Sequence, residues 1–412
     1  MAEDLETIDE MDVDGRRVLL RADLDVPLHH GDNGKAASVA DDRRLRAALT
    51  SIDELARRGA RVVLVGHLGR RPGRDGASSM QPVADRLAQL TGAAVPVAPA
   101  VVGTRVRELT ERLAPGQMLM LENTRFEPGE TRNDGDLARA LAELADRFVG
   151  DAFAIADRAY ASTNGVAQRL PRAAGRVMER EVRALSTITE RPERPLVAVI
   201  GGVGLSGKAG AITRLLGLAD VLCLGGAICF PLLAAQGHSV GRSLCPREDV
   251  RAARAILAAA KTSACRLELP EDWLVTEGSG RETETDAQAL DAVDVPVGFT
   301  ALDTGPNTSD RFAVEIAAGA TVFWDGPMGQ VELASFAAGT RAIAAAIASA
   351  RATTIVAGEE TVQSVRSLGL DGHVSHVSTG GRATLAFLGG QDLPGVAVLR
   401  SITSARRGSL TT

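Results

Sequence analysis

The sequence predicts a doubly wound α/β protein, and three observations carry that expectation. Short, unbroken apolar runs recur along the chain, amphipathic segments of helical length separate them, and glycine-bearing or charged turns follow most of the runs. A strand buried on both faces reads as a continuous apolar run, which is the mark of a parallel sheet covered by helices. With 412 residues, the chain is long enough for two or three such domains.

In the first half, strands are expected at Val18–Leu20, Val62–Val65, Met118–Leu121 and Phe148–Val149. Helices are expected at Asp42–Arg58, Gln81–Leu90 and Asp136–Asp146. The rhythm repeats with strands at Leu196–Ile200, Val221–Leu224, Val322–Trp324 and Thr354–Val356. The helices expected there are Gly210–Leu216, Glu248–Lys261, Asp310–Ala317, Ala334–Ala350 and Thr361–Leu368. Leu170-Pro171, the charged stretch Met178–Glu190 and Arg191-Pro192-Glu193-Arg194-Pro195 together read as a connector, which splits the chain near 170–195. The tail Ser401–Thr412 is polar and expected to fray.

Composition narrows the functional classes. Apolar residues make up 45% and charged residues 24%, ordinary globular usage. The net charge of −6 offers no global attraction for nucleic acid, so any anion site must be a local cluster. Only Lys35, Lys208 and Lys261 are lysines among the 46 cations, which makes a lysine in a motif more informative than an arginine. Cys223, Cys229, Cys245 and Cys265 form no CxxC pair, and the first two read as small core residues. The acidic start MAEDLETIDEMD lacks an apolar signal region, and no run approaches the ~18 residues of a membrane span. A soluble cytoplasmic protein is the expectation.

In open α/β sheets, ligands bind at the carboxyl ends of strands, so chemistry is sought in the residues after each run. Arg21-Ala22-Asp23-Leu24-Asp25 follows the first run, and its carboxylates would face one way if the chain stayed extended. They suit a hydroxylated substrate or an ordinary Asp turn. Gly66-His67-Leu68-Gly69-Arg70-Arg71 follows the second, Glu122-Asn123-Thr124-Arg125 the third, and Asp151-Ala152-Phe153 with Arg158 the fourth. Arg44 lies at the start of the first helix. Planar guanidinium forks suit phosphate and carboxylate oxygens. Each could be a solvated surface cation, but recurrence at one sheet edge predicts a basic pocket for a small, multiply anionic molecule.

In the second half, Gly201-Gly202-Val203-Gly204-Leu205-Ser206-Gly207-Lys208 precedes a helix. Such a loop offers backbone N–H groups, a helix N-terminus and an ammonium to phosphate. Residues 202–208 fit GxxxxGK, but Ala209 stands where a P-loop needs Ser or Thr, and no acidic strand end is identified as its partner. Glycine turns at Gly225-Gly226, Asp325-Gly326-Pro327-Met328-Gly329, Gly358-Glu359-Glu360-Thr361 and Ser378-Thr379-Gly380-Gly381 would shape a nucleotide cleft. Glu332 and Glu360 are candidate ribose and Mg²⁺ partners, or exposed carboxylates.

The segments RVLLRADLDVPL, DDRRLRAAL, GHLGRRPG, LENTRFEPGE, GDAFAIADRAYAST, GGVGLSGKAG, LGGAICF, ALDTGPNT, FWDGPMGQVE and VSTGG occur in order over residues 5–400. The chain thereby resembles bacterial phosphoglycerate kinases. The resemblance implies two Rossmann-like domains with parallel central sheets joined by a hinge helix. They would be an acid-binding domain at 1–172, a connector at 173–192 and a nucleotide-binding domain at 193–395, with residues 396–412 rejoining the first. It implies reversible phosphoryl transfer between MgATP and the carboxylate of 3-phosphoglycerate by a monomer that binds neither nucleic acid nor membrane. Asp23, Asp25, Arg44, His67, Arg70, Arg125 and Arg158 would hold the acid. Lys208, Gly225, Glu332, Gly358, Glu359, Glu360 and Thr361 would hold the nucleotide, with Glu360 on the metal. Arg44 and Lys208 would stabilise the transferring group, and hinge closure would exclude water.

Several motifs depart from the family's pattern. The family's GGAKVSDK is GGVGLSGK here, so Gly204 replaces a lysine and Gly207 an aspartate. GGGDT is AGEET, which puts Glu359 where a glycine would face phosphate and Glu360 in place of aspartate. Arg382 replaces the glycine after STGG, Asp25 an asparagine, and Asp157 and Tyr160 two histidines around Arg158. Two alternatives follow: a diverged kinase of another small carboxylic acid, or a catalytically weak paralogue that binds the acid.

Overall fold

A computed structural model describes residues 4–29, 37–69, 79–278 and 286–401. The chain divides into two compact units, Met1–Arg183 with Asp392–Thr412, and Ala184–Gln391.

The first unit holds a five-stranded parallel sheet of β1 (Arg17–Arg21), β2 (Arg61–Val65), β3 (Met118–Met120), β4 (Arg147–Gly150) and β5 (Arg172–Ala174). Their spatial order is β3-β2-β1-β4-β5. The apolar runs of β1 and β2 are buried on both faces, as a covered parallel sheet requires. Helices α1 (Arg43–Arg57) and α2 (Gln81–Thr91) contribute Leu45, Ile52, Leu55, Val83 and Leu87 to the core against Val18, Leu20, Val62 and Leu64. Two further helices follow, α3 (Thr104–Glu111) and α4 (Gly135–Ala142), the second of which stops short of the expected Asp146. α5 (Arg176–Thr189) carries the chain across the unit boundary. Asp151, just after β4, accepts hydrogen bonds from Val177 N (2.8 Å) and Met178 N (3.0 Å) at the start of α5, and burial pushes its carboxyl up to about 6. The short helix α13 (Pro394–Ala397) belongs to this unit too; Gly395 N donates to Ala156 O at 2.9 Å, and Leu5 pairs with Arg400.

The second unit repeats the topology. β6 (Leu196–Ile200), β7 (Val221–Leu224), β8 (Arg266–Glu268), β12 (Thr321–Asp325), β13 (Thr353–Ala357) and β14 (His376–Val377) form a parallel sheet in the order β8-β7-β6-β12-β13-β14. Cys223 and Cys229 are fully buried, as expected of small core residues. A three-stranded antiparallel sheet, β9 (Trp273–Glu277), β10 (Gln288–Leu290) and β11 (Phe299–Thr304), is an addition that the apolar runs do not announce. Its Trp273 packs on Phe230 of α7 (Cys229–Gln236), a helix also unforeseen because it is apolar all round.

The other helices are α6 (Leu205–Leu216), α8 (Arg247–Ala260), α9 (Pro306–Ala318), α10 (Ala338–Ser349), α11 (Glu359–Ser367) and α12 (Arg382–Leu388). In each sheet the strand order reverses beside the first strand of that sheet, at β1/β4 and at β6/β12. Ligand crevices in this class of fold open there.

Candidate functional sites at the two sheet edges

In the first unit the residues after four successive strands meet. Arg21, the last residue of β1, is 1% exposed. Its Nε donates to Ser162 Oγ (2.8 Å), its Nη1 to Ala22 O (2.6 Å), and its Nη2 lies 3.2 Å from His67 Nδ1. Glu130 accepts from Ser162 Oγ at 2.5 Å and from Ser162 N at 3.0 Å, which fixes that hydroxyl. A guanidinium has only donors, so His67 Nδ1 must be the acceptor and the ring proton must sit on Nε2. Nε2 points to Asp25 Oδ2, 3.6 Å away. His67 titrates well below its ordinary range because it is buried and because Arg21, Arg125, Arg44 and Arg158 all bear on it. It is a neutral donor at physiological pH.

The two carboxylates after β1 take different partners. Asp25 N donates to Asp23 Oδ1 (3.4 Å), and Ala22 N still donates to Val65 O (3.2 Å) beyond the end of β1. Asp23 pairs with Arg44 Nη1 at 3.3 Å, and burial pushes its carboxyl up against that pairing. Asp25 Oδ1 accepts from Gly69 N at 2.8 Å.

Asn123 sets the next loop. Its Oδ1 accepts from Leu68 N (3.2 Å) and Arg125 N (3.0 Å), and its Nδ2 donates to Leu68 O (2.8 Å). Arg125 is 7% exposed, and its Nε is buried without a partner. Its contact is the face of Tyr160, with Cζ 5.0 Å from the ring centroid. Arg158 lies 5.9 Å from the same ring and donates from Nη1 to Tyr160 Oη at 2.9 Å. The ring's negative face thus stands between two guanidiniums without neutralising either. Arg70 lies outside the described residues.

The second unit is built differently. α6 begins at Leu205, five residues before the expected Gly210, so Gly207 and Lys208 are helical and not part of the loop. Its N-terminus is closed by Asp249 of α8, which accepts from Leu205 N (3.2 Å) and Ser206 N (2.8 Å). The partial positive charge expected to face a phosphate faces this carboxylate instead. Lys208 Nζ pairs with Asp325, the last residue of β12, and the two side chains are only 13% and 3% exposed. Asp325 corrects the expectation that no acidic strand end accompanies the GxxxxGK run; β12 lies directly beside β6, which leads into that run.

The glycine turns serve mutual packing. A Cβ on Gly226 (φ +60°) would sit 2.6 Å from Gly202 N, and one on Gly326 (φ +95°) 2.3 Å from Gly201 O. Gly225 is held likewise, since its Cβ would meet Met328 Sδ at 2.5 Å. Thr361, fully buried, accepts from Gly326 N at 2.7 Å and ties the turn after β12 to the start of α11. Gly358 (φ +83°) would bring a Cβ within 3.1 Å of Asp325 Oδ2. Glu332, Glu359 and Glu360 are exposed, the last two in the first turn of α11. Among the described residues no three metal-ligating side chains cluster.

Comparison with known proteins decides the family. The phosphoglycerate kinase family profile matches residues 8–391. The chain belongs to the phosphoglycerate kinase family. The phosphoglycerate kinase of Chloroflexus aurantiacus is 44% identical over 400 residues, spanning 96% of this chain and 98% of its own. That of a Parafrankia species is 44% identical over 408 residues, 96% of this chain and all of its own. Among solved structures, the Coxiella burnetii phosphoglycerate kinase superposes with a TM-score of 0.84 at 36% identity, covering 96% and 98% of the two chains. The Pyrococcus horikoshii enzyme gives 0.80 at 26% identity, with the same coverage. These relatives are named phosphoglycerate kinase, an enzyme that is a phosphotransferase acting on a carboxyl group.

The sequence assigns no role to Arg21, Asn123, Ser162, Glu130, Asp249 or Asp325, although Arg21, Asn123 and Asp325 stand in the segments that follow its strands. Arg21 carried a signal, since it ends an apolar strand at the expected edge, and so did Asp325. Asn123 and Glu130 carried none, because polar residues that hold loops look like any loop residue.

Proposed function

We propose that the chain is a phosphoglycerate kinase that transfers a phosphoryl group between ATP and the carboxylate of 3-phosphoglycerate. The observation that carries this reading is Arg125, a nearly buried guanidinium with an unpartnered Nε, in a ring of cations that also includes Arg21, Arg44 and Arg158. An unsatisfied buried cation is costly, so this arrangement is the shape of a pocket completed by an anion. Arg125 and Arg158 would grip the substrate's anionic end. His67 would donate from Nε2, and Asp23 and Asp25 would accept from its hydroxyl. Arg44, beside Asp23, would meet the reacting carboxylate, and Lys208 the transferring phosphoryl group.

Mg²⁺ on the nucleotide would neutralise charge on the phosphates. Metal that arrives on phosphate needs only one or two protein carboxylates, and the exposed Glu360 fits that requirement. The rest of this reading comprises closure about α5 to exclude water, a monomer, a cytoplasmic setting, and no part for nucleic acid or membrane.

The buried Lys208–Asp325 pair favours a second reading, an acid-binding paralogue with weak catalysis. A coupled ADP-release assay with MgATP and a panel of small carboxylic acids tests both. Turnover selective for 3-phosphoglycerate is expected. Saturable acid binding by calorimetry with no turnover would select the paralogue, and neither would remove the assignment.

A further inference from the structure

Resting on that reading, we propose that Asp325 is the group that controls nucleotide affinity in this chain, by holding Lys208 in an ion pair that an incoming phosphate must break. The ammonium is the cation at the switch point of the second sheet, and it is already neutralised. Several of the donors around it are committed too. Asp249 occupies the N-terminus of α6. Gly201 N and Gly202 N donate to Asp325 O (2.8 Å) and Pro327 O (2.7 Å), so these amides are committed as well. The carboxylate stands at the carboxyl end of β12, at that switch point. Its Oδ2 is where a Cβ on Gly358 would come within 3.1 Å, beside the turn that leads to Glu359 and Glu360. A bare polyphosphate would therefore meet the Asp325 carboxylate and an engaged ammonium.

The arrangement also states how the pair opens. Lys208 can leave Asp325 for a phosphate oxygen only if another cation takes its place beside the carboxylate, since a nearly buried carboxylate without a counter-ion is unfavourable. The divalent cation that travels with the nucleotide is the group of the right charge. Two ion pairs are exchanged for two others, lysine to phosphate and aspartate to the cation, with charge conserved. Wild-type protein is thereby a sensor for metal-loaded nucleotide and discriminates against the metal-free form. The positioning residue is Asp325, acting through Lys208.

Isothermal titration of full-length wild type and Asp325→Asn with ATP, each with Mg²⁺ and with EDTA, tests this. Metal-free ATP is expected to bind the variant about ten- to a hundredfold more tightly than wild type, because the competing carboxylate is gone. The advantage conferred by Mg²⁺ is expected to shrink in parallel, while affinity for 3-phosphoglycerate stays the same. A gain in affinity cannot arise from misfolding, and Asp325→Ala provides a second variant should the asparagine hydrogen-bond to Lys208. Metal-free affinity that is unchanged or weaker in both variants overturns the proposal alone. Absence of ATP binding by every form at millimolar nucleotide overturns it together with the kinase reading.

Discussion

The two units share a strand order and a switch point, yet their edges are used in opposite ways. In the first, Arg44 pairs with Asp23 and Arg158 with Asp157, but Arg125 is stacked on Tyr160 and its Nε is buried without a partner. In the second, Lys208 is matched to Asp325, the helix terminus to Asp249, and the glycine amides to neighbouring carbonyls. One edge holds a buried guanidinium without an ion-pair partner and the other a buried, matched ion pair. Topology locates a crevice, but the balance of charge inside it decides whether an anion is drawn in or must compete.

The largest test removes the second unit's central cation. Lys208→Ala should lower kcat by ~10²–10³, as loss of a charge aimed at a transition state does. Near-normal turnover would show that the second edge never opens around this lysine. On the first edge, Arg125→Met should weaken 3-phosphoglycerate binding about a hundredfold without changing ATP affinity. If both ligands weakened together, the two edges would not be separate half-sites.

A smaller effect sharpens the second side. Glu359→Gly removes an exposed carboxylate at the start of α11 and should tighten ATP binding about threefold, through relief of like-charge repulsion. Unchanged binding in titration would mean that this turn faces away from phosphate.

The smallest effect concerns pH. Folded protein keeps His67 neutral, whereas the unfolded chain takes up a proton there as pH falls below 6.5. The unfolded state then binds more protons, so stability is complete above that value and declines below it, by about 1 kcal/mol per pH unit from this residue. Denaturant midpoints at pH 7.5 and 5.5 should differ less in His67→Gln than in wild type. An identical slope would place the acid sensitivity elsewhere; Asp23 cannot supply it, because burial raises its carboxyl and a raised carboxyl favours the folded state as pH falls.

Much of this was legible in the chain alone. Continuous apolar runs determine covered parallel strands, because only such strands need no polar face, and eight of them were readable with boundaries close to those observed. Recurring cations after those strands determine a basic edge in the first unit, because strand ends in a parallel sheet converge. Weaker elements such as β5, β8 and the antiparallel sheet escaped, since two to six residues of mixed polarity carry no period and depend on neighbours supplied by distant chain.

What each polar residue does was decided only by the tertiary structure. Asp23 and Asp25 go to different partners because α1 brings Arg44 to the first and the loop after β2 brings Gly69 N to the second. Glycines that read as phosphate contacts are needed where turns after β6, β7 and β12 touch. Lys208, the most informative cation in the sequence, meets Asp325 across 117 positions. Pattern along a chain reports burial, which is local and periodic; the state of a charge depends on what lies across a few ångströms of space, and no spacing in the sequence records that.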